Sequence, residues 1–400
     1  MNLEISSNDT LNNVSVVDSL NGLSNYHYLE CNNNSSSELK QYRGIVKAED
    51  ETTVCRSFGY TPEVDDSNEE EMNTIVKPFL EQEGVTVLPS YESTLLRVFH
   101  YVNEQLVGGW YVSTCRKIDA FTSRWGGNKS FGELFEECIG VTPKEDEPKK
   151  VLSRSSLQKW CEDNLDKSKC YSYIIRTYEE NRIVCKCYNK PELFLIGTFT
   201  KDSFDISKCQ IPSLEVTTMN DLKEKMKNIY PDVLQGLILI NKKGESVKVM
   251  KHEYVEAFKL RGNQPNILLR YIELQQEGVE ERVKTFFEMY PEHKDTIITF
   301  TEVIEDICNF MFRKYRNRFV RKQVAIVPPD LYYIIRELHD AYIKDRTQIV
   351  TPERVSDYVH SLPPLKLLGL FNSYNKRKNE FGNGNKLSKE FMDKVKAMIM

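Results

Sequence analysis

Six cations fall within residues 313–322: Arg313, Lys314, Arg316, Arg318, Arg321 and Lys322. Phe310, Phe312, Tyr315 and Phe319 interleave with them, and no acid occurs between Ile307 and Pro329. On a helix such aromatics bury one stripe and the cations cover the rest of the circumference. That pattern suits contact with nucleic-acid phosphates and equally suits a plain solvated face. A second cluster joins Cys115, Arg116 and Lys117 to Trp110 and Trp125, rings that could stack a base unless they serve as core. Arg43 precedes Gly44, where a missing side chain lets a phosphate approach the backbone or simply permits a turn. Lys248 beside a hairpin is either a phosphate ligand or a surface lysine. Six histidines show neither an HxH nor an HExxH spacing, and of the ten cysteines only Cys185 and Cys187 lie close together. We therefore expect reduced thiols and no metal site.

These residues need elements to hold them. Residues 1–24 are rich in Asn and Ser and read as a flexible extension, with a further polar run from Asn32 to Ser37. From Leu39 to Trp125, YRGIV, TTVCRSF, VTVL, TLLRVFHYV and GWYVSTC read as strands of an antiparallel sheet. The acidic stretch Glu63 to Glu71 reads as a solvated loop between them. Helices are expected over Lys129 to Val141, Ser155 to Asn164 and Thr218 to Tyr230, and strands at CYSYIIRTY, RIVCKCY, LFLIGTF, LQGLILI and SVKVMK. After Glu277 the period becomes helical, with prolines as punctuation. The expected architecture is α+β: a sheet domain over 25–275, an all-helical domain over 276–372 and a basic tail over 373–400.

With 400 residues and 40% hydrophobic content the chain can bury more than one core. A net charge of −5 gives no global pull toward nucleic acid, so such binding must use a local face. The N-terminus lacks the pattern of a signal peptide and no apolar run spans a bilayer, so a soluble cytoplasmic protein without membrane contact is expected.

Four blocks in order, between Tyr42 and Leu274, resemble the RNA ligase-like nucleotidyltransferases, particularly divergent members from large DNA viruses. They are YRGIVKAEDETTVCRSFGYTPEV, YESTLLRVFHYVNEQLVGGWYVSTCRKIDAFTSRWGG, YSYIIRTYEENRIVCKCY, and QGLILIN with SVKVMKHEYVEAFKLRGN. The resemblance implies an antiparallel-sheet, ATP-grasp-like ligase domain whose lysine attacks the α-phosphate of a nucleoside triphosphate. Its nucleotide pocket would draw on Arg43, Glu92, Arg116, Lys117, Gln235 and Lys248, with Glu92 either a ribose acceptor or a solvated carboxylate. Should the chain be viral, the host cytoplasm is the implied location.

The chemical centre departs from that family. Ser90 stands where the nucleophilic lysine belongs, and Ser90 forms no lysyl adenylate. Ile175 falls at the ribose-contacting carboxylate, Gln235 replaces a metal-holding glutamate, and Met250 replaces a lysine on the α-phosphate. The expected function is binding of RNA, or of a nucleotide at an RNA end, by a catalytically degenerate fold that requires no cofactor. Two alternatives stand beside it. One is an active ATP-dependent RNA ligase, using ATP or GTP with magnesium and a displaced Lys77 or Lys117; the other is a reader of the mRNA 5′ cap.

Overall fold

Leu23, Asn25 and His27 alternate inward with Ser24, Tyr26 and Tyr28 facing outward, the two-residue period of a half-buried strand. The computed structural model describes residues 12–177, 182–186 and 190–376. It pairs β2 (Leu23–Tyr28) with β1 (Val14–Leu20) through a tight turn in which Asn21 and Gly22 take positive φ. Residues 14–24 are thus part of a sheet and not a flexible extension. The polar composition misleads because Leu23, 1% exposed, packs into the core while the serines and asparagines face outward or cap turns. The basic tail lies outside the described residues apart from 373–376.

This first sheet continues through β3 (Arg43–Lys47) and β4 (Thr53–Cys55) in the order β1-β2-β3-β4. Beyond it come β5 (Glu63–Asp65), β6 (Thr86–Ser90), β7 (Thr94–Val102), β8 (Gly108–Thr114), β9 (Cys170–Arg176), β10 (Glu192–Phe199), β11 (Phe204–Asp205), β12 (Gly236–Ile240) and β13 (Ser246–Met250). They form a second sheet, β11-β10-β9-β7-β8, and a third, β5-β13-β12-β6. Among the described residues every pairing is antiparallel except β5 with β13. The acidic stretch therefore contains a strand: Val64 is fully buried among the apolar residues of the third sheet, and Lys248 donates its amide to Pro62.

The third sheet is buried on both faces. Val87, Leu237, Leu239, Val247 and Val249 pack with Met72, Val76, Leu222 and Met226 on one side, whereas Leu88, Ile238 and Ile240 face Phe58, Ile174 and Ile196 on the other. The second sheet packs its Leu96, Val98, Tyr173 and Ile175 against the helices Phe131–Cys138 and Ser155–Asn164. The first of these helices opens on a capping box in which Ser130 and Glu133 bond reciprocally.

The chain divides into two units between Lys259 and Leu260, within the helix His252–Arg261, sixteen residues before the boundary expected between 275 and 276. The periodicity of that helix is weak, so the boundary leaves little mark in the sequence. The second unit is all-helical. Its long helix Lys294–Tyr315 buries Ile297, Phe300, Ile304, Ile307, Phe310, Met311 and Tyr315 among its neighbours. No helix among the described residues is long and apolar enough to cross a membrane.

Candidate nucleotide-binding cleft

On the face of the third sheet that looks toward the second, a cleft encloses about 680 Å³, counting its open mouth. Strand alternation chooses its lining. Leu88 and Ser90 of β6, Ile238 and Ile240 of β12, and Ser246 and Lys248 of β13 all point the same way. Leu95, Ile174 and Ile196 of the second sheet face them, and Arg43 of β3, Thr61, Tyr91 and Ser93 are also in the lining. An apolar floor thus meets a rim with two cations, Arg43 and Lys248, and the hydroxyls of Thr61, Ser93 and Ser246.

The rim is held by specific bonds. Arg43 donates Nη1 to the Gly59 carbonyl at 3.2 Å and to Thr61 Oγ1 at 3.3 Å, and Thr61 Oγ1 meets Ser246 Oγ at 2.8 Å. Lys248 Nζ lies 3.0 Å from Glu63 Oε1 and 3.4 Å from Gln235 Oε1. Tyr91 stacks on Phe194 at 5.6 Å between centroids, and the Arg176 guanidinium sits 4.3 Å from the Tyr91 ring. Arg176 is in turn paired with Glu192 at 2.9 Å.

Behind the rim the positions expected to carry the nucleophile and the metal-holding carboxylate are both neutral. Ser90, 3% exposed, donates Oγ to Gln235 Oε1 at 3.3 Å. Gln235 Nε2 donates to the Tyr254 hydroxyl at 2.9 Å, and that hydroxyl donates to Glu92 Oε2 at 3.0 Å. Burial, with the Glu92 charge adding to it, pushes the Tyr254 phenol far above its ordinary value, so it remains a donor. Glu92 also accepts the backbone N–H groups of Ile183 at 3.0 Å, Val184 at 2.8 Å and Cys185 at 3.1 Å. Its carboxylate is consumed as an anchor for that loop and does not line the cleft. The same bonds explain why RIVCKCY is no strand over 182–186: its amides go to a side chain instead of a neighbouring strand. Cys187 and Asn181 lie outside the described residues.

Other expected members stand elsewhere. Lys117 pairs with Asp18 at 3.1 Å, Arg116 is exposed, and neither lines the cleft. Trp110 is 2% exposed and donates to Glu162, so it is core and not a stacking surface. Lys77 is exposed on the short helix Lys77–Leu80, away from the lining. Ile175, at the expected carboxylate position, packs into the second sheet's core, while its neighbour Ile174 lines the cleft. Met250 packs with Val184, Cys185 and Tyr254. Sequence reasoning missed Thr61, Ser246 and Tyr254. Thr61 and Ser246 are small hydroxyl residues in strand and loop context, and only the alternation Ser246, Lys248 on one strand hinted that both share a face.

In the second unit, Arg313, Arg316, Arg318, Arg321 and Lys322 are exposed and Lys314 is half-buried. None of the six has a carboxylate partner among the described residues. Their rings serve them locally: Lys314 lies over Phe310, Arg316 over Phe312, and Arg318 over both Phe319 and Tyr332. Phe310 and Tyr315 belong to the helical core, as the stripe implied. Among the described residues no group of three or more His, Cys, Asp or Glu side chains is arranged for a metal ion.

The site is therefore a cation-rimmed cleft between two sheets of an α+β protein with a helical C-terminal unit. The chain is 26% identical over 331 residues to the immediate-early protein ICP-46 homolog of Invertebrate iridescent virus 6, covering 78% of this chain and 70% of that one. It is 25% identical over 307 residues to the homolog of Invertebrate iridescent virus 3, covering 76% and 65%. The immediate-early protein ICP-46 of Frog virus 3 is 27% identical over 208 residues, covering 48% and 51%. No family model matches the chain. Among solved structures, a putative ATP-dependent DNA ligase from Aquifex aeolicus aligns with TM-score 0.39 and 11% identity over 71% of this chain and 75% of that one. An archaeal ATP-dependent RNA ligase aligns with TM-score 0.38 and 8% identity over 71% and 76%. Both structural likenesses are too loose to carry a conclusion.

Proposed function

We propose that the cleft binds a nucleotide, free or as the end of an RNA strand, on a degenerate ligase-like nucleotidyltransferase scaffold that forms no covalent adduct. The observation that carries this reading is the pairing of an intact pocket with a neutral centre. The apolar floor suits a base, and Arg43 and Lys248 suit a phosphate. The position of the nucleophile is a buried serine whose hydroxyl donates to an amide. Among the described residues no carboxylate belongs to the lining, and the nearest, Glu63, is paired with Lys248, a donor set that does not favour a metal-assisted adenylyl transfer. Among the described residues the lining holds no acid to meet a base edge, which weighs against a cap reader.

The test is incubation with α-labelled ATP or GTP and magnesium or manganese, followed by a denaturing gel. We expect no labelled band. An acid-labile, alkali-stable band would overturn the reading. Lys248→Ala, Lys77→Ala and Lys117→Ala would then identify the amine responsible, Lys248 being the one in the lining.

We also propose that the basic end of the long helix contacts RNA phosphates. Each cation engaged on a single strand adds about 0.7 to the slope of log affinity against log salt, so removing three should flatten that slope by about two. Replacing Arg313, Arg316 and Arg318 with glutamine, measured by anisotropy at several salt concentrations, is expected to show that change. An unchanged slope would make these residues a solvated face.

A further inference from the structure

The outward face of the first sheet carries four tyrosines, one cation, Lys47, and a link to the cleft. Tyr26 and Tyr28 on β2, Tyr42 just before β3, and Tyr60 after β4 are all half-buried. Tyr26 meets Tyr42 at 6.5 Å between centroids, and Tyr28 meets Tyr60 at 6.3 Å. Lys47 Nζ lies 5.3 Å from the Tyr26 ring and 5.9 Å from that of Tyr42. Strand geometry puts Tyr26 and Tyr28 on one face, spaced by two residues at about 3.3 Å each. An extended single strand can match that spacing base by base.

Arg43 joins this face to the cleft. It follows Tyr42, pairs with His27 across a bulge in β3 and so turns toward the inner side of the sheet, where it lines the cleft, as does Thr61 beside Tyr60. Gly44, the next residue, turns inward at φ +82°, where a Cβ would stand 2.6 Å from the Cys115 carbonyl. No side chain but hydrogen fits there, so the bulge that turns Arg43 inward while Lys47 stays on the outer face is fixed.

We propose that this tyrosine face is the path of a single-stranded RNA whose terminal nucleotide occupies the cleft. Bases stack on the tyrosines, Lys47 answers a phosphate, and Arg43 marks the point where the strand enters the pocket. Glu51, which holds Lys47 at 3.1 Å and accepts from the Tyr26 hydroxyl at 3.3 Å, is the anion that a phosphate would displace. A protein partner could also use tyrosines; continuity with the cleft through Arg43 is what favours RNA. The inference rests on the nucleotide reading of the cleft, and its test separates the two.

Full-length protein is titrated with ATP, and separately with a 5′-phosphorylated single-stranded RNA octamer carrying a 3′ fluorophore. The variants are Tyr26→Ala/Tyr28→Ala/Tyr42→Ala and the matching Phe triple. Stacking predicts a loss of roughly 5- to 150-fold in octamer affinity for each engaged ring. The alanine triple should lose octamer binding, keep ATP binding, and be rescued by phenylalanine, which stacks without the hydroxyl. Octamer affinity unchanged in the alanine triple overturns the proposal and returns the face to a protein partner. Octamer loss in the triple with no ATP binding by the wild type sinks the cleft reading and leaves the platform standing. Photocrosslinking of a 4-thiouridine octamer provides a second reading: adducts on the peptides of Tyr26, Tyr28 or Tyr42 support the path, and adducts confined to residues 313–322 overturn it.

Discussion

Glu92→Ala is expected to lower unfolding stability by about 3–5 kcal/mol, because it strips acceptors from several partly buried donors that each cost about 1–3 kcal/mol when left unmade. The donors are the amides of Ile183, Val184 and Cys185 and the Tyr254 hydroxyl. Relaxation of the loop toward water keeps the total below the simple sum. Glu92→Gln should recover part of the loss, since one amide oxygen still accepts while the NH₂ group cannot. The damage should also reach the cleft, because Tyr254 supports Gln235, and Gln235 receives both Ser90 and Lys248. Urea unfolding followed by circular dichroism, with amide exchange of residues 183–185, checks this. Stability within about 0.5 kcal/mol of wild type, the range of an ordinary surface change, together with unchanged exchange, would show that Glu92 anchors nothing.

That role could not be read from the sequence, where Glu92 stands two residues after Ser90 in the position of a site carboxylate. Its partners are three backbone amides some ninety residues away, and amides leave no mark on residue type. The strands were more legible. TLLRVFHYV, GWYVSTC, QGLILI and SVKVMK alternate or run apolar at a length only strands have, and the structure pairs them as β7 with β8 and β12 with β13. The hairpin of β1 and β2 was hidden by composition, since Asn25, fully buried, spends its amide on the Cys115 carbonyl and so looks like a loop residue in sequence. The strand within the acidic stretch was hidden because only Val64 turns inward while Glu63 and Asp65 flank it. Of the cations expected in the pocket, Arg43 and Lys248 lie on strands that point them inward. Arg116 and Lys117 follow the end of β8, where no alternation governs direction, and Asp18 of the unforeseen first strand captures Lys117.

Arg43 and Lys248 should account for most of the phosphate affinity of the cleft. A hydrogen bond to a charged group contributes about 1.5–3 kcal/mol, so each alanine substitution should weaken ATP binding roughly 10- to 150-fold. The double variant should approach the product of the two if they contact different phosphate oxygens, since neither bonds the other in the structure. Arg43 holds Gly59 and Thr61, and Lys248 holds Glu63, so the fold of each variant is checked by its urea midpoint before affinity is compared. Met in place of Lys248 preserves the apolar stem and separates lost charge from lost packing. Calorimetric titration of ATP into the wild type and the double variant is the most direct measurement of the central claim. Saturable binding near one nucleotide per chain, lost in the folded double variant, is the predicted result; no binding to the wild type, or binding that survives loss of both cations, would contradict it.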